Sequence, residues 1–234
     1  MREDKKRSQK SLPFEQKSKM GVLFYMKNTV NINDINYTLS ELEKHLWLLL
    51  LNGTLRPKDD FHVAAFGSID TDGLPDLRTV VVRKALPTEK QIWLHTDIRA
   101  AKIEQIKNNP SVSWLFYDNK KRIQIRLKAT ATIHANDEIS EKQWSKTPTK
   151  SRRSYITLAA PGSPNDEPTS GLNPTFEARD PTPEESEIGQ PNFAVVITQI
   201  EALEWLFLHH SGHRRAIFRY NTEGVVLSSS WLIP

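Results

Sequence analysis

From Phe61 onward the chain breaks into short, strand-sized runs separated by turn-forming clusters, and this rhythm constrains its fold more than any other feature. Phe61–Asp70 and Leu77–Lys84 flank Asp70-Thr71-Asp72-Gly73, the chemistry of a hairpin turn. Gln91–Thr96, Val112–Tyr117 and the long run Arg122–His134 follow. Strand character resumes at Phe193–Ile200 and around Ala202–His209, and ends in a hairpin of Ile217–Tyr220 with Val225–Ser230. Helices fit only between these runs. Ser40 with Glu43 three residues later predicts a capping box and a helix to about Asn52, stopped by Gly53. Asp97 is the expected cap of a helix from about Ile98 to Asn108, ended by Asn109-Pro110. Asp137–Lys146 reads as a short third helix. Six to eight strands with few helices predict a mainly β, antiparallel barrel with peripheral helices, not a doubly wound parallel sheet.

At 234 residues the chain suits one domain with appendages. The expected division is a basic segment over 1–39, read as a partly disordered tail, and a barrel domain over 40–234. Within the latter, residues 161–191 are rich in proline, glycine, serine and acids and read as a long irregular loop. The longest apolar run, Leu46–Leu51, is far too short to cross a bilayer, and the polar start lacks the apolar core of a secretory signal. The absence of cysteine excludes disulfides and thiolate chemistry. A cytoplasmic protein without a membrane partner is the expectation. The formal charge of +4 invites a nucleic-acid reading. However, seven cations against three acids in residues 1–19 account for all of it, so a solvated tail is favoured over a nucleic-acid module.

Three clusters carry chemistry. In Arg78-Thr79-Val80-Val81-Val82-Arg83, strand alternation puts Arg78, Val80 and Val82 on one face, with an arginine at the mouth of the barrel where it can grip a phosphate. Taken alone, the same arginine reads more readily as one half of a surface ion pair. In His95-Thr96-Asp97-Ile98-Arg99-Ala100-Ala101-Lys102, a strand runs into a helix start carrying Arg99 and Lys102. Cations there oppose the helix dipole, a conflict that a docked anion resolves. Two solvated cations beside Asp97 and Glu104 are the alternative. Gln124 lies mid-strand between Arg122 and Arg126 and offers both an amide donor and an acceptor. His209, His210 and His213 lack an evident carboxylate partner, so no metal site is assigned. Lys146, Lys150, Arg152-Arg153 and Arg214-Arg215 read as an anionic pocket or as a solvated rim.

Taken as an ordered set, the motifs are more specific than any one of them. Ser68-Ile69-Asp70-Thr71-Asp72-Gly73-Leu74-Pro75, RTVVVR at 78–83, HTDIRAAK at 95–102, NNPSVSWLFY at 108–117 and QIRLKA at 124–129 together resemble the FMN-binding split barrels of the pyridoxamine 5'-phosphate oxidase family. The resemblance covers roughly 41–234. Trp144, Lys150-Ser151-Arg152 and Pro161-Gly162-Ser163-Pro164 lean towards a less characterised subfamily. It implies FMN as cofactor, held by Arg78, Thr79, Val80, Val81, His95, Thr96, Arg99, Lys102 and Gln124. It also implies a homodimer with FMN at the subunit interface, and a small-molecule substrate facing Arg83, Ser151, His213 and Arg215. Departures from the family pattern accompany it: Ala100 and Ala101 in the phosphate motif, Arg83 for a lysine, Gln143 and Thr147 where substrate-gripping residues stand, and His213-Arg214-Arg215-Ala216-Ile217 near the end. The implied activity is FMN-dependent oxidoreduction on an unspecified substrate. A flavin carrier or sensor without turnover, and a haem-binding split barrel, are the alternatives.

Overall fold

The structure is a computed structural model that describes residues 28–32 and 34–234. The chain divides into two compact units, Met1–Leu42 and Glu43–Pro234. Most of the basic tail, residues 1–27, lies outside the described residues. The described part of the first unit holds a hairpin of β1 (Val30–Ile32) and β2 (Ile35–Tyr37), which the sequence reading left unassigned. Asp34 turns it at φ 66°, in the left-handed region that Asp tolerates better than most residues. Helix α1 (Leu39–Leu55) follows. Its capping box is formed two residues earlier than expected: the Thr38 amide donates to Glu41 Oε2 at 2.9 Å and the Glu41 amide to Thr38 Oγ1 at 3.3 Å. Gly53 does not stop the helix. A Cβ there would stand 2.6 Å from the Phe61 carbonyl oxygen, so glycine permits close packing of the chain that follows.

The second unit is built on a nine-stranded antiparallel sheet, one strand beyond the expected range. Its strands are β3 (Val63–Ile69), β4 (Pro75–Val81), β5 (Lys84–Leu86), β6 (Gln91–Asp97), β7 (Ser111–Asp118), β8 (Ile123–His134), β9 (Phe193–Phe207), β10 (Arg214–Tyr220) and β11 (Val226–Leu232). They run in the order β11-β10-β9-β8-β7-β3-β4, while β5 pairs β6 and β6 pairs β9. Two local features curl this sheet. Leu77–Lys84 is not one strand: the Val82 amide donates to His62 O and the next amide, Arg83, to Trp93 O, both at 2.9 Å, so the chain changes partner in one step. Conversely, the two runs expected over 193–209 form one strand. One edge of β9 pairs β6 through Gln199 and then β10 from Ala202, with a register shift against β8 between Lys128 and Ala129. That irregularity is the kind of break that lets a sheet bend and split.

The interior follows from alternation. In β7 the odd and even positions are strictly exposed and buried, and Val112, Trp114 and Phe116 point inward. They meet Phe66, Ile125, Leu127, Leu203 and Trp205, all buried. Trp114 Nε1 donates to Thr198 Oγ1 at 3.2 Å, and that hydroxyl donates to Ile92 O at 2.7 Å, so this indole is satisfied inside the barrel, whereas Trp205 Nε1 is buried with no partner among the described residues. Helix α2 (Ala101–Asn108) joins β6 to β7. Helix α3 (Glu138–Lys146), the expected short helix with Asp137 as its cap, lays Trp144 on the outer face of β9 with Tyr155, Phe193 and Val195. The loop 161–191 is less irregular than its composition suggests. It contains α5 (Pro174–Ala178) and α6 (Pro183–Ser186), after α4 (Thr149–Arg152), each with proline at its start and capped by Asn173 or Thr182. No helix among the described residues is long and apolar enough to cross a membrane.

Candidate functional site

The first half of β4, the end of β6 and helix α2 meet at one corner of the sheet, where Arg78 of the first cluster and Thr96, Arg99 and Lys102 of the second gather. Arg78 lies on the inward side of β4, its guanidinium 5.9 Å from the Phe66 ring. One of its nitrogens donates to Ser68 Oγ at 2.5 Å; the other bonds Asp76 and, at 2.9 Å, Gln105 Oε1. Gln105 Nε2 in turn donates to Asp76 Oδ2 at 2.8 Å. The amide of Gln105, and after it the charge of Arg78, hold the Asp76 carboxyl below its ordinary range against the effect of burial. Lys102, in the first turn of α2, donates to Thr96 Oγ1 at 3.0 Å. Burial first, then the Arg78 charge, pulls this ammonium below the usual lysine value, while Asp97 and Asp76 oppose the shift.

Arg99 is placed differently from the expectation. Helix α2 begins at Ala101, so Arg99 precedes it, and Asp97 does not cap the helix. Instead Asp97, buried, receives the Arg99 amide, its Nε at 2.9 Å and its Nη2 at 2.7 Å. The rest of the Arg99 fork donates to Thr157, to the carbonyl at 3.2 Å and to Oγ1 at 3.0 Å. Arg99 therefore ties the end of β6 to the segment after α4. At α2 no side chain caps the amino terminus. The corner brings three cations, Arg78, Arg99 and Lys102, together with two carboxylates, Asp76 and Asp97. One positive charge is left over beside the uncapped helix start. This is the electrostatic form of an anion site, and a phosphate fits it.

His95 sits on the opposite face of β6 from Thr96, edge-on to Phe193 with ring centroids 4.8 Å apart. Its Nε2 is buried and has no partner among the described residues. Burial, then the charges of Arg83 and Lys84, push its pKa down to about 3, so the ring is neutral at pH 7. Nearby, burial pushes the Tyr155 hydroxyl up to about 12. Thr79 is exposed, and Val80 and Val81 are half-buried on β4, which has a strand neighbour on one side only.

Two other groups stand apart. Gln124 lies on the outer face of β8 opposite Tyr117, with β7 and β3 between it and β4. That is three strand spacings, or about 14 Å of sheet. Arg215, opposite Leu206, ion-pairs with Glu204 at 2.8 Å, and Arg126 pairs with the same carboxylate. His213 is exposed in the turn before β10. Ser151 is half-buried in α4 and Arg83 is exposed. Arg152, read as part of a basic pocket or rim, is buried. It donates to Thr147 O and Trp144 O at 2.9 Å each and to Glu187 at 2.5 Å, which makes it a staple of the outer layer. The sequence reading missed Ser68, Asp76, Gln105 and Thr157. Asp76 stands two before Arg78 on one strand face and Gln105 three after Lys102 on one helix face, so both were within reach of periodicity. Thr157 lies in an irregular segment that carries no such signal.

Residues 44–135 match the family model described as pyridoxamine 5'-phosphate oxidase, FMN-binding domain, and this points to FMN as the cofactor. The chain is 29% identical over 149 residues to pyridoxine/pyridoxamine 5'-phosphate oxidase 2 of Arabidopsis thaliana, across 59% of this chain and 75% of that protein. It is 27% identical over 108 residues to pyridoxine/pyridoxamine 5'-phosphate oxidase of Bradyrhizobium diazoefficiens, across 46% of this chain and 50% of that protein. Among solved structures, a pyridoxamine 5'-phosphate oxidase-related, FMN binding protein of Nostoc punctiforme superposes with a TM-score of 0.66. It shares 22% identity, and the match covers 82% of this chain and 97% of the other. PhzG of Burkholderia lata, solved with tetrahydrophenazine-1-carboxylic acid, gives a TM-score of 0.61 at 14% identity over 82% and 91%. At these identities the two structures speak for the fold. They identify the curled antiparallel sheet as a split barrel, the fold class that the strand rhythm and the family resemblance implied.

Proposed function

We propose that this chain, whose residues 44–135 match the FMN-binding domain of the pyridoxamine 5'-phosphate oxidase family, is an FMN-dependent oxidoreductase acting as a homodimer on a small-molecule substrate. The observation that carries the reading is the surplus cation at the corner, Lys102 beside Arg78 and the uncapped start of α2. Bound FMN supplies reversible two-electron redox chemistry at its ring system.

The chain's own residues position that group. Lys102 and the free amides at the start of α2 hold the phosphate, with Thr96 fixing the ammonium. Arg78 is pre-oriented by Ser68 and Gln105 and exchanges its bond to Asp76 for the phosphate. Arg99 acts one step back, fixing the end of β6 through Asp97. Thr79, Val80 and Val81 present an edge-strand backbone to the ring. His95, held neutral, offers its unpartnered Nε2 as a hydrogen-bond partner and not as a charged acid. Gln124, His213 and Arg215 lie too far along the sheet to complete this corner within one chain. A second copy, docked by the outer face that carries them, supplies them to the site. Arg83, near His95, and Ser151 face the substrate.

The test is turnover. FMN-loaded protein is mixed with pyridoxamine 5'-phosphate, other amines, and reduced nicotinamides, and the flavin absorbance is followed with and without oxygen. Bleaching by one donor and recovery in air support the reading. A flavin that stays oxidised with every donor leaves a carrier or sensor.

A further inference from the structure

A cavity of about 760 Å³ opens between the segment after α4 and the proline-rich loop. Its volume is that of a small-molecule site. Lys150, Arg153, Ser154, Thr157, Ser163 and Thr169 are among its lining residues, and no carboxylate is. Arg153 is anchored: Nη2 donates to Glu177 O at 3.2 Å and Nη1 faces Asp180 at 3.6 Å. Its Nε is buried and has no partner among the described residues. Lys150 is exposed at the rim. Thr157 belongs both to the cavity wall and to the bonds from Arg99, so the cavity adjoins the cofactor corner.

We infer that this cavity binds the oxyanion of a small molecule, a carboxylate or a phosphate, with Arg153 and Lys150 as its recognition groups. Resting on the proposed function, the inference makes the bound molecule the substrate and the substrate anionic. Arg153 supplies the fixed, directional donor and Lys150 a mobile charge. Ser154, Thr157 and Thr169 supply neutral hydrogen bonds around them. Arg152, its neighbour in sequence, takes no part, because its fork is spent on Trp144, Thr147 and Glu187.

The probes are inorganic phosphate and benzoate, titrated into the full chain at constant ionic strength in the presence of excess FMN, with the unfolding midpoint as readout. The parent, Arg153→Gln, Lys150→Gln and Arg78→Gln are compared. Expected is a saturable rise in the midpoint with at least one probe. It persists in Arg78→Gln, and its half-saturating concentration increases about fivefold or more in each of the other two variants, as for loss of a charge-assisted hydrogen bond. A response to phosphate alone or to benzoate alone assigns the anion's chemistry. Should Arg153→Gln fail to fold, the rim variant Lys150→Gln decides the matter. No saturable response in the parent overturns the inference. So does a response lost only in Arg78→Gln, which assigns the anion to the cofactor corner, or one unchanged in Lys150→Gln. Failure to bind FMN overturns the proposed function and leaves this titration interpretable through the Arg78→Gln control.

Discussion

One sheet has two differently finished outer halves. Over β6 and the first half of β9, the outward residues Phe193, Val195 and Ile197 lie under Trp144 and Tyr155, and the chain covers its own apolar surface. Over β4, β7, β8 and β10 the same alternation leaves Leu77 68% and Leu115 41% exposed, next to Arg126, Glu204 and Ile217 around a hollow of about 440 Å³. The strand β9 belongs to both halves and changes partner at its irregularity. Within one chain, then, the covered half is complete. The bare half mixes exposed leucines with paired charges, the composition of a surface that meets another protein. It also carries Gln124 and Arg215, which under the proposed function a second copy supplies to the corner.

The comparison is broken most severely on the covered half. Trp144→Ala removes a buried ring and its hydrogen bond to Glu187 and is expected to cost about 3–5 kcal/mol in denaturant unfolding. Loss below about 1 kcal/mol would show the cover to be dispensable.

Acid weakens the same half through His95. Its folded pKa, about 3, lies below its free value near 6.5, so the unfolded chain takes up the proton first as pH falls. This contribution is complete above pH 6.5 and is lost by about 1.4 kcal/mol per unit down towards pH 3. Between pH 6.5 and 4.5, His95→Phe is expected to lose about 2–3 kcal/mol less than the parent in urea unfolding. Equal losses in the two proteins would remove this account of the buried ring.

At the junction of the halves, Lys102→Gln is expected to weaken FMN binding about tenfold or more, the loss of one partly buried charge contact to phosphate. Arg99→Ala also weakens it, through the released end of β6. Comparing the two by fluorescence titration sharpens the distinction between a phosphate contact and a positioning residue: the thermal midpoint falls with Arg99→Ala and holds with Lys102→Gln.

The smallest effect on folding, and the most telling for the bare half, is Leu115→Gln. On an exposed position it is expected to change single-chain stability by no more than about 0.5 kcal/mol. In sedimentation velocity, the same change together with Leu77→Gln shifts the protein from dimer to monomer. A parent that sediments as a monomer contradicts the second-copy reading of this face.

Much of the barrel was legible because burial with period two writes itself into strands such as β7 and β8. What was not legible is where a strand changes partner. The polar stretch around Gln199–Glu201 reads as a gap between two strands, whereas the structure runs through it with a bulge; Val82-Arg83 reads as continuous and is a switch between two partners. The capping box was misplaced because Thr38–Glu41 and Ser40–Glu43 have the same form, and the choice is made by burial. Glu43 is buried and paired with Lys90 at 2.6 Å, so it is unavailable for the cap. At the corner, the cations were visible from charge that opposed the helix dipole. The acid and the amide that hold Arg78, Asp76 and Gln105, were not, and Asp97 reads as a helix cap or a solvated neighbour of the cations until the fold buries it against Arg99. Nor does sequence spacing tell which copy of a chain a residue serves, as Gln124 shows.

The most direct test of the central claim is to purify the protein, record its absorbance spectrum, and titrate FMN into the parent and Lys102→Gln while following flavin fluorescence. The account predicts bound FMN, released on heating, with the parent saturating at one FMN per chain and the variant clearly weaker. A colourless parent that takes up no added FMN, or equal binding by the two proteins, contradicts it.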